Sequence, residues 1–323
     1  MASQGSKILA SDYNGLQTTV ANILGSGSGS LGYGQTVLSS QVSNVTATKI
    51  TTAQWSNLVT DILNCYYHQG ISLTTVPVAP SSGQLVYYNN TSSPSISFST
   101  YNAAVTAINA NPRVFPAAGQ YSGAVLANPS LTNMAWGTHT HTSVITFGTN
   151  AQFRYFFNSG GRIEITPTIA GGGLSSADPS TSLDLAWQTI FNRFGTMYLY
   201  WNSTAVTNTT YTSGVNQSVN VASSIGAYQL TTSYQVLLTS LTPAGGSYSP
   251  NQYQINVAVD NSSLPTAISI QCVFSDSSYG TGTPTWAVKE PVDSTITNTI
   301  SYTRASGSYV SVVPPSLGSS TFS

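Results

Sequence analysis

Two histidines one residue apart, His139 and His141, stand in the polar stretch "GTHTHT" that begins at Gly137. Side chains two apart on a strand share a face, so the two imidazoles can act together. One chain supplies two ligands, fewer than a closed metal site needs. Three chains meeting on an axis would supply six, enough to encircle a transition metal. The plainer alternative is a solvated strand edge on which Thr and His alternate. Catalysis finds less to work with. No GxSxG elbow marks one of the many serines as a nucleophile. His68 closes a helix, where the carbonyl end of the dipole favours it. The nearest carboxylate couples for glycan cleavage, Asp178/Asp184 and Glu290/Asp293, lie beside turn residues, where Asp commonly bends or caps the chain. The expectation is a protein that is not an enzyme and requires no cofactor.

Aromatic residues offer a second chemistry. Nineteen tyrosines stand against ten phenylalanines, and "YLYW" is the densest cluster. Alternation puts Tyr198 and Tyr200 on one face, suited to a glycan or a protein partner. A third motif, "FFNSGGRIEI", reads as a hairpin with Gly160 and Gly161 supplying positive φ. Arg162 and Glu164 then share a face of the outgoing strand and are placed to pair within or between subunits.

The elements that must position these residues belong to an unusual chain. Only 5% of its 323 residues are charged, and the net charge is −1. A typical soluble protein carries about 25% charged residues. Neutral hydrogen-bonding groups must therefore keep it in solution, and such a surface suits a permanent assembly. Eight scattered basic residues cannot build a groove for nucleic acid or an anchor for anionic lipid. No run reaches the roughly 18 apolar residues of a membrane span. The opening "MASQGSKILASDYNG" lacks the apolar core of a secretory signal, so synthesis in the cytoplasm is expected. Cys65 and Cys272 carry no disulfide framework and are expected to be free thiols.

The N-terminus contains a repeat. "KILASDYNGLQTTVANIL" from Lys7 and "KITTAQWSNLVTDIL" from Lys49 align with an offset of 42, matching Lys7/Lys49, Ile8/Ile50, Tyr13/Trp55, Leu16/Leu58 and Val20/Ile62. Each reads as an amphipathic helix, capped by Ser11 in the first copy and by Thr51 or Thr52 in the second, with Gly25 and Gly70 closing them. The "TVLSSQVS" stretch between them is apolar enough to pack. Residues 1–70 are thus a small helical attachment module. Residues 71–130 read as a linker with one strand, "QLVYY", and one helix over Ser99–Asn111. From 131 to 323 the pattern is β-rich, with "SVITFG", "QFRYFF", "GRIEITPTI", "GTMYLYW", "AYQLTTSYQVLLTSL", "YQINVAVD", "AISIQCVFSD" and a closing pair "TISYTR" and "SYVSVV" as strands. "SLDLAWQTIFNRF" interrupts them as one helix. The fold class is mainly β: a C-terminal β-sandwich-like domain with one covering helix, after a small N-terminal helical module.

Several phrases together, "ASDYNGLQTTVANILGSGSGSLGYGQTVLSSQVS", "ITTAQWSNLVTDILNCYYHQG", "RYFFNSGGRIEI" and "FGTMYL", resemble a family of virion structural proteins of tailed bacteriophages, especially contractile-tailed phages of cyanobacteria and marine bacteria. The similarity runs to about Tyr200. It implies a tail-fibre, baseplate or neck component without enzymatic activity, localised in the virion. The His139-x-His141 element is similar to those that hold iron on the three-fold axis of trimeric tail fibres and spikes. The expectation is a homotrimer that binds other virion proteins through its N-terminus. Two other classes stay open: an adhesin recognising a host surface glycan, and a particle-bound depolymerase.

Overall fold

Both copies of the repeat are helical in the computed structural model, which describes residues 7–43, 49–134, 137–171, 183–209, 219–242, 251–276 and 292–323. Helix α1 spans Ala10–Leu24 and α2 spans Thr52–Gln69. Thr51 caps α2 through a reciprocal pair: its hydroxyl accepts from the Gln54 amide at 3.2 Å, and the Gln54 side chain accepts from the Thr51 amide at 2.8 Å. Ser11 does not cap α1. The helix starts two residues earlier, at Ala10 with Leu9 as its cap position, and the Asp12 carboxylate accepts the Leu9 amide at 3.1 Å, a stronger acceptor than a hydroxyl. Gly70 ends α2 in the left-handed conformation, φ 63°.

A third helix, α3, spans Phe98–Ala110, one residue ahead of the expected Ser99–Asn111, and is capped by Ser97. Tyr13 and Trp55 meet edge to face at 5.1 Å, and Trp55 lies 5.1 Å from Tyr101, so the three helices share one aromatic centre. The stretch expected to be a linker therefore contributes a full wall of the helical core. "QLVYY" is not a strand; it makes a single bridge, Tyr87 to Ser97.

The segment between α1 and α2 is held by helix side chains that stand in for a neighbouring strand. Asn14 accepts the Val42 amide at 2.7 Å and donates to the Val42 carbonyl at 2.8 Å. The buried Asp61 carboxylate accepts the amides of Leu38 and Ser39. These bonds satisfy an extended backbone that has no sheet to join.

The chain divides into two compact units. The first takes Met1–Ser122 with Arg154–Gly161 and Arg304–Val313; the second takes Gly123–Phe153, Arg162–Thr303 and Pro314–Ser323.

The second unit holds two six-stranded sheets. Its strands are β1 (Tyr121–Ala127), β2 (Ser130–Met134), β3 (Thr138–Thr146), β4 (Arg162–Ala170), β5 (Met197–Leu199), β6 (Thr204–Val206), β7 (Val219–Val221), β8 (Gln235–Leu241), β9 (Gln252–Val259), β10 (Ala267–Ser275), β11 (Val292–Ala305) and β12 (Ser316–Phe322). One sheet runs β1-β11-β4-β5-β6 with β2 also on β11, and the other runs β12-β3-β10-β9-β8-β7. Strict alternation drives the layering: in β11, Ile296, Asn298, Ile300 and Tyr302 face inward while the residues between them do not. The covering helix is α5, Leu183–Asn192. Its fully buried Trp187 meets Phe274 of β10, and Phe191 meets Tyr253 of β9. At its start the Asp184 carboxylate accepts the Ser294 amide of β11 at 2.8 Å, so the helix engages both sheets.

Three further sequence expectations fail. "QFRYFF" is not a strand but helix α4, Asn150–Asn158. Phe153, Phe156 and Phe157 are all fully buried at helical spacing, and the Thr149 hydroxyl caps Gln152 at 3.1 Å. "FFNSGGRIEI" is accordingly a helix end, not a hairpin. Gly160 has φ 84° and a Cβ there would collide with the Val114 carbonyl, whereas Gly161 needs no positive φ. The closing pair is also different: "SYVSVV" makes a single bridge, Ser306 to Ser311, and the last strand is β12, on β3.

Candidate functional site

Strand β3 carries both histidines on its inner face, with Ser143 and Ile145 beyond them. His141 has no exposed surface. Its Nδ1 accepts from the Asn298 amide group at 2.8 Å, and Asn298 in turn accepts the Tyr253 hydroxyl at 2.9 Å. That assigns the proton to Nε2, which lies 2.9 Å from the Ser143 hydroxyl and 2.8 Å from that of Ser320. One imidazole thereby joins β3, β11, β9 and β12. Burial, with the nearby His139, pushes its pKa down to about 4, so it is neutral at pH 7.

This geometry bears on the metal expectation. A metal on Nε2 would have to displace two hydroxyls, and one on Nδ1 would break the tie to Asn298. The Phe322 ring lies 4.9 Å from both imidazoles, stacked on His139. The pair is thus built into the edge of the sandwich, and His141 presents no surface to another chain. Among the described residues no group of three or more His, Cys, Asp or Glu is placed to hold a metal ion.

His68, in the first unit, is also fully buried. Its ring meets Tyr33 edge to face at 4.9 Å, and desolvation holds its pKa near 4 despite the Ser159 backbone beside it. His68 does lie in the last turn of α2, as read from sequence, but the dipole favours a charged ring and the structure shows a neutral core residue. Cys65 and Cys272 are free and buried, as expected. Burial raises both thiols, Cys272 to about 11, which leaves them protonated and unreactive.

Tyr198 and Tyr200 do share a face, with ring centroids 6.0 Å apart. The Arg162 guanidinium lies 4.2 Å over the Tyr198 ring and donates to the Tyr200 hydroxyl at 3.3 Å. Its Nε pairs with Glu164 at 2.9 Å, and Glu164 also accepts the Thr303 hydroxyl at 2.5 Å. The charge pair is therefore within one chain. One ring face that a sugar would stack on is taken by the guanidinium, and the cluster ties β4, β5 and β11 together. Of the carboxylates weighed for glycan cleavage, Asp184 is a helix-to-strand clamp, while Asp178 and Glu290 lie outside the described residues.

The sheets end differently from their interiors. Along β1 five successive residues are exposed, and along β12 six are, among them Val125 at 60% and Leu317 at 39%. Neither strand carries a charge. Sequence reasoning missed β12 because "SLGSSTF" has no alternation and little β-propensity; pairing to β3 alone defines it. It also missed Asn298, although a signal was present: a polar residue midway between Ile296 and Ile300 on an otherwise apolar face.

The chain matches no known protein family, no curated protein and no solved structure. Among the described residues no helix is long and apolar enough to cross a membrane.

Proposed function

We propose that the protein is a structural subunit of a bacteriophage virion, a tail-fibre, baseplate or neck component that attaches through its N-terminal helical unit and self-associates through its β unit, most simply as a homotrimer. The observation that carries this reading is the pair of uncharged sheet edges, β1 and β12, exposed on both faces. Isolated proteins blunt such edges with charges or cover them; a subunit covers them by assembling. A surface with 5% charged residues, which repels its own copies weakly, supports the same reading. The resemblance of "DYNGLQTTV" and its companion phrases supplies the particle. The clamp of Arg162 on Tyr198 favours packing over glycan stacking, so the adhesin reading is not advanced. Peptide mapping of purified phage particles by mass spectrometry tests the proposal: the chain should be present at a fixed copy number, and its absence would overturn the reading.

A further inference from the structure

The repeat contains matched positions that helix packing does not use. Tyr13/Trp55, Leu16/Leu58 and Val20/Ile62 are buried between the helices, but Lys7/Lys49 and Ile8/Ile50 precede them. The Tyr13 hydroxyl donates to the Gln54 carbonyl at 3.0 Å, which sets the two helix starts side by side. A cavity of about 380 Å³ opens there, walled by Ile8, Ile50, Trp55, Pro80, Leu85 and Lys49. Leu9 and Leu85 beside it are 58% and 64% exposed. Large apolar side chains left in water around a concave site, whose lining also carries the polar Thr52 and Gln84, mark a surface that is covered in use.

Among the described residues that line this cavity the one charged side chain is a cation, Lys49. Four arginines of the chain donate to backbone carbonyls: Arg113 to Ser30, Arg154 to Gly29, Arg193 to Leu241 and Arg304 to Val312. Arg162 pairs with Glu164. Lys7 and Lys49 are exposed instead, Lys49 on the cavity wall and Lys7 next to Ile8. Ala10 and Thr52, the first residues of α1 and α2, also line the cavity, so the positive ends of two helices face it. Asp12 is turned to the Leu9 amide.

We propose that this cavity docks an apolar segment bearing carboxylates, supplied by a neighbouring protein of the particle. Ile8, Ile50 and Leu85 grip its apolar side chains, and Lys7 and Lys49 take its carboxylates. The inference rests on attachment through the N-terminal unit and names the surface that attaches.

The test is fluorescence polarisation of the full chain with a dye-labelled peptide, Leu-Ile-Asp-Leu-Val-Glu, against its amide counterpart, Leu-Ile-Asn-Leu-Val-Gln. The acidic peptide should bind at least about tenfold more tightly than the amide. Leu85→Asp should remove that binding, and the pair Lys7→Glu with Lys49→Glu should transfer preference to a peptide carrying Lys in place of the acids. These are exposed positions, so the thermal transition of each variant should match that of the parent chain. Equal binding of both peptides, or binding indifferent to Leu85→Asp, overturns the site. So does a concentration-dependent dimer that the double lysine variant dissolves, since that assigns the cavity to a second copy. Particle content decides the attachment reading separately: a chain present in particles that ignores the acidic peptide fails here and leaves that reading standing.

Discussion

Nδ1 of His141 accepts a hydrogen bond from Asn298 across 2.8 Å, and through that bond one sheet holds the other. Replacing Asn298 with Leu strands the Tyr253 hydroxyl and the imidazole nitrogen together in the core. The cost should be about 2–3 kcal/mol in urea unfolding, since buried polar groups without partners are costly. Replacing both partners by apolar residues removes the orphaned imidazole nitrogen and leaves only the Tyr253 hydroxyl without its Asn298 partner, so Asn298→Leu with His141→Leu should cost less than the sum of the single changes. Strict additivity would show that the two side chains do not interact.

The same burial sets a pH dependence. His141 and His68 have folded pKa values near 4 against an ordinary value of 6.5. The unfolded chain takes up protons first, so stability is full above pH 6.5, falls as pH drops toward 4, and levels off below that. The loss should be on the order of 3 kcal/mol for fully buried His68, the equivalent of its shift. Thermal denaturation between pH 7 and 4 checks this. His68→Phe, which keeps a ring against Tyr33, should flatten the curve; an unchanged slope in that variant would refute the assignment.

Much of the architecture is legible in the sequence wherever one period dominates. The offset repeat announces Tyr13 against Trp55, and the alternation of β9, β10 and β11 is plain. Failures occur where two periods fit one string. Phe153, Phe156 and Phe157 satisfy a helix, yet "QFRYFF" also scans as a strand, and burial on the helical face decides. The histidines were legible as a pair on one face but not as interior residues, because their partners Asn298 and Ser320 lie more than 150 positions away. Arg162 beside Glu164 could be read directly, since residues two apart on a strand must be neighbours.

That pair makes a limited prediction. Arg162 and Glu164 are about one-fifth exposed, so solvent screens them and Glu164→Gln should cost no more than about 1 kcal/mol. The bond is within one chain, so exchanging the two charges should leave assembly intact. A double exchange that folds but no longer assembles would place the pair between subunits.

The aromatic centre of the helical unit is less forgiving. Trp55→Ala should cost about 3–5 kcal/mol, because two rings and a cavity wall lose their contacts at once. Trp55→Phe keeps an edge for Tyr13 and should cost clearly less. Guanidinium unfolding followed by circular dichroism near 222 nm reads both.

Edge strands carry the assembly claim, and charge is the probe for them. Lysine at Val125 or Leu317 adds an exposed cation to β1 or β12, the device by which edges are ordinarily guarded. Each variant should keep its unfolding midpoint and lose about tenfold in self-association, measured by analytical ultracentrifugation. Unchanged association in both would move the interface elsewhere.

Native mass spectrometry of the full chain over a range of concentrations tests the central claim most directly. A defined oligomer, a trimer in the simplest case, that falls apart when Val125 and Leu317 are both lysine is the expected result. A monomer at every concentration, unaltered by those substitutions, would contradict the assignment of the exposed edges to self-assembly.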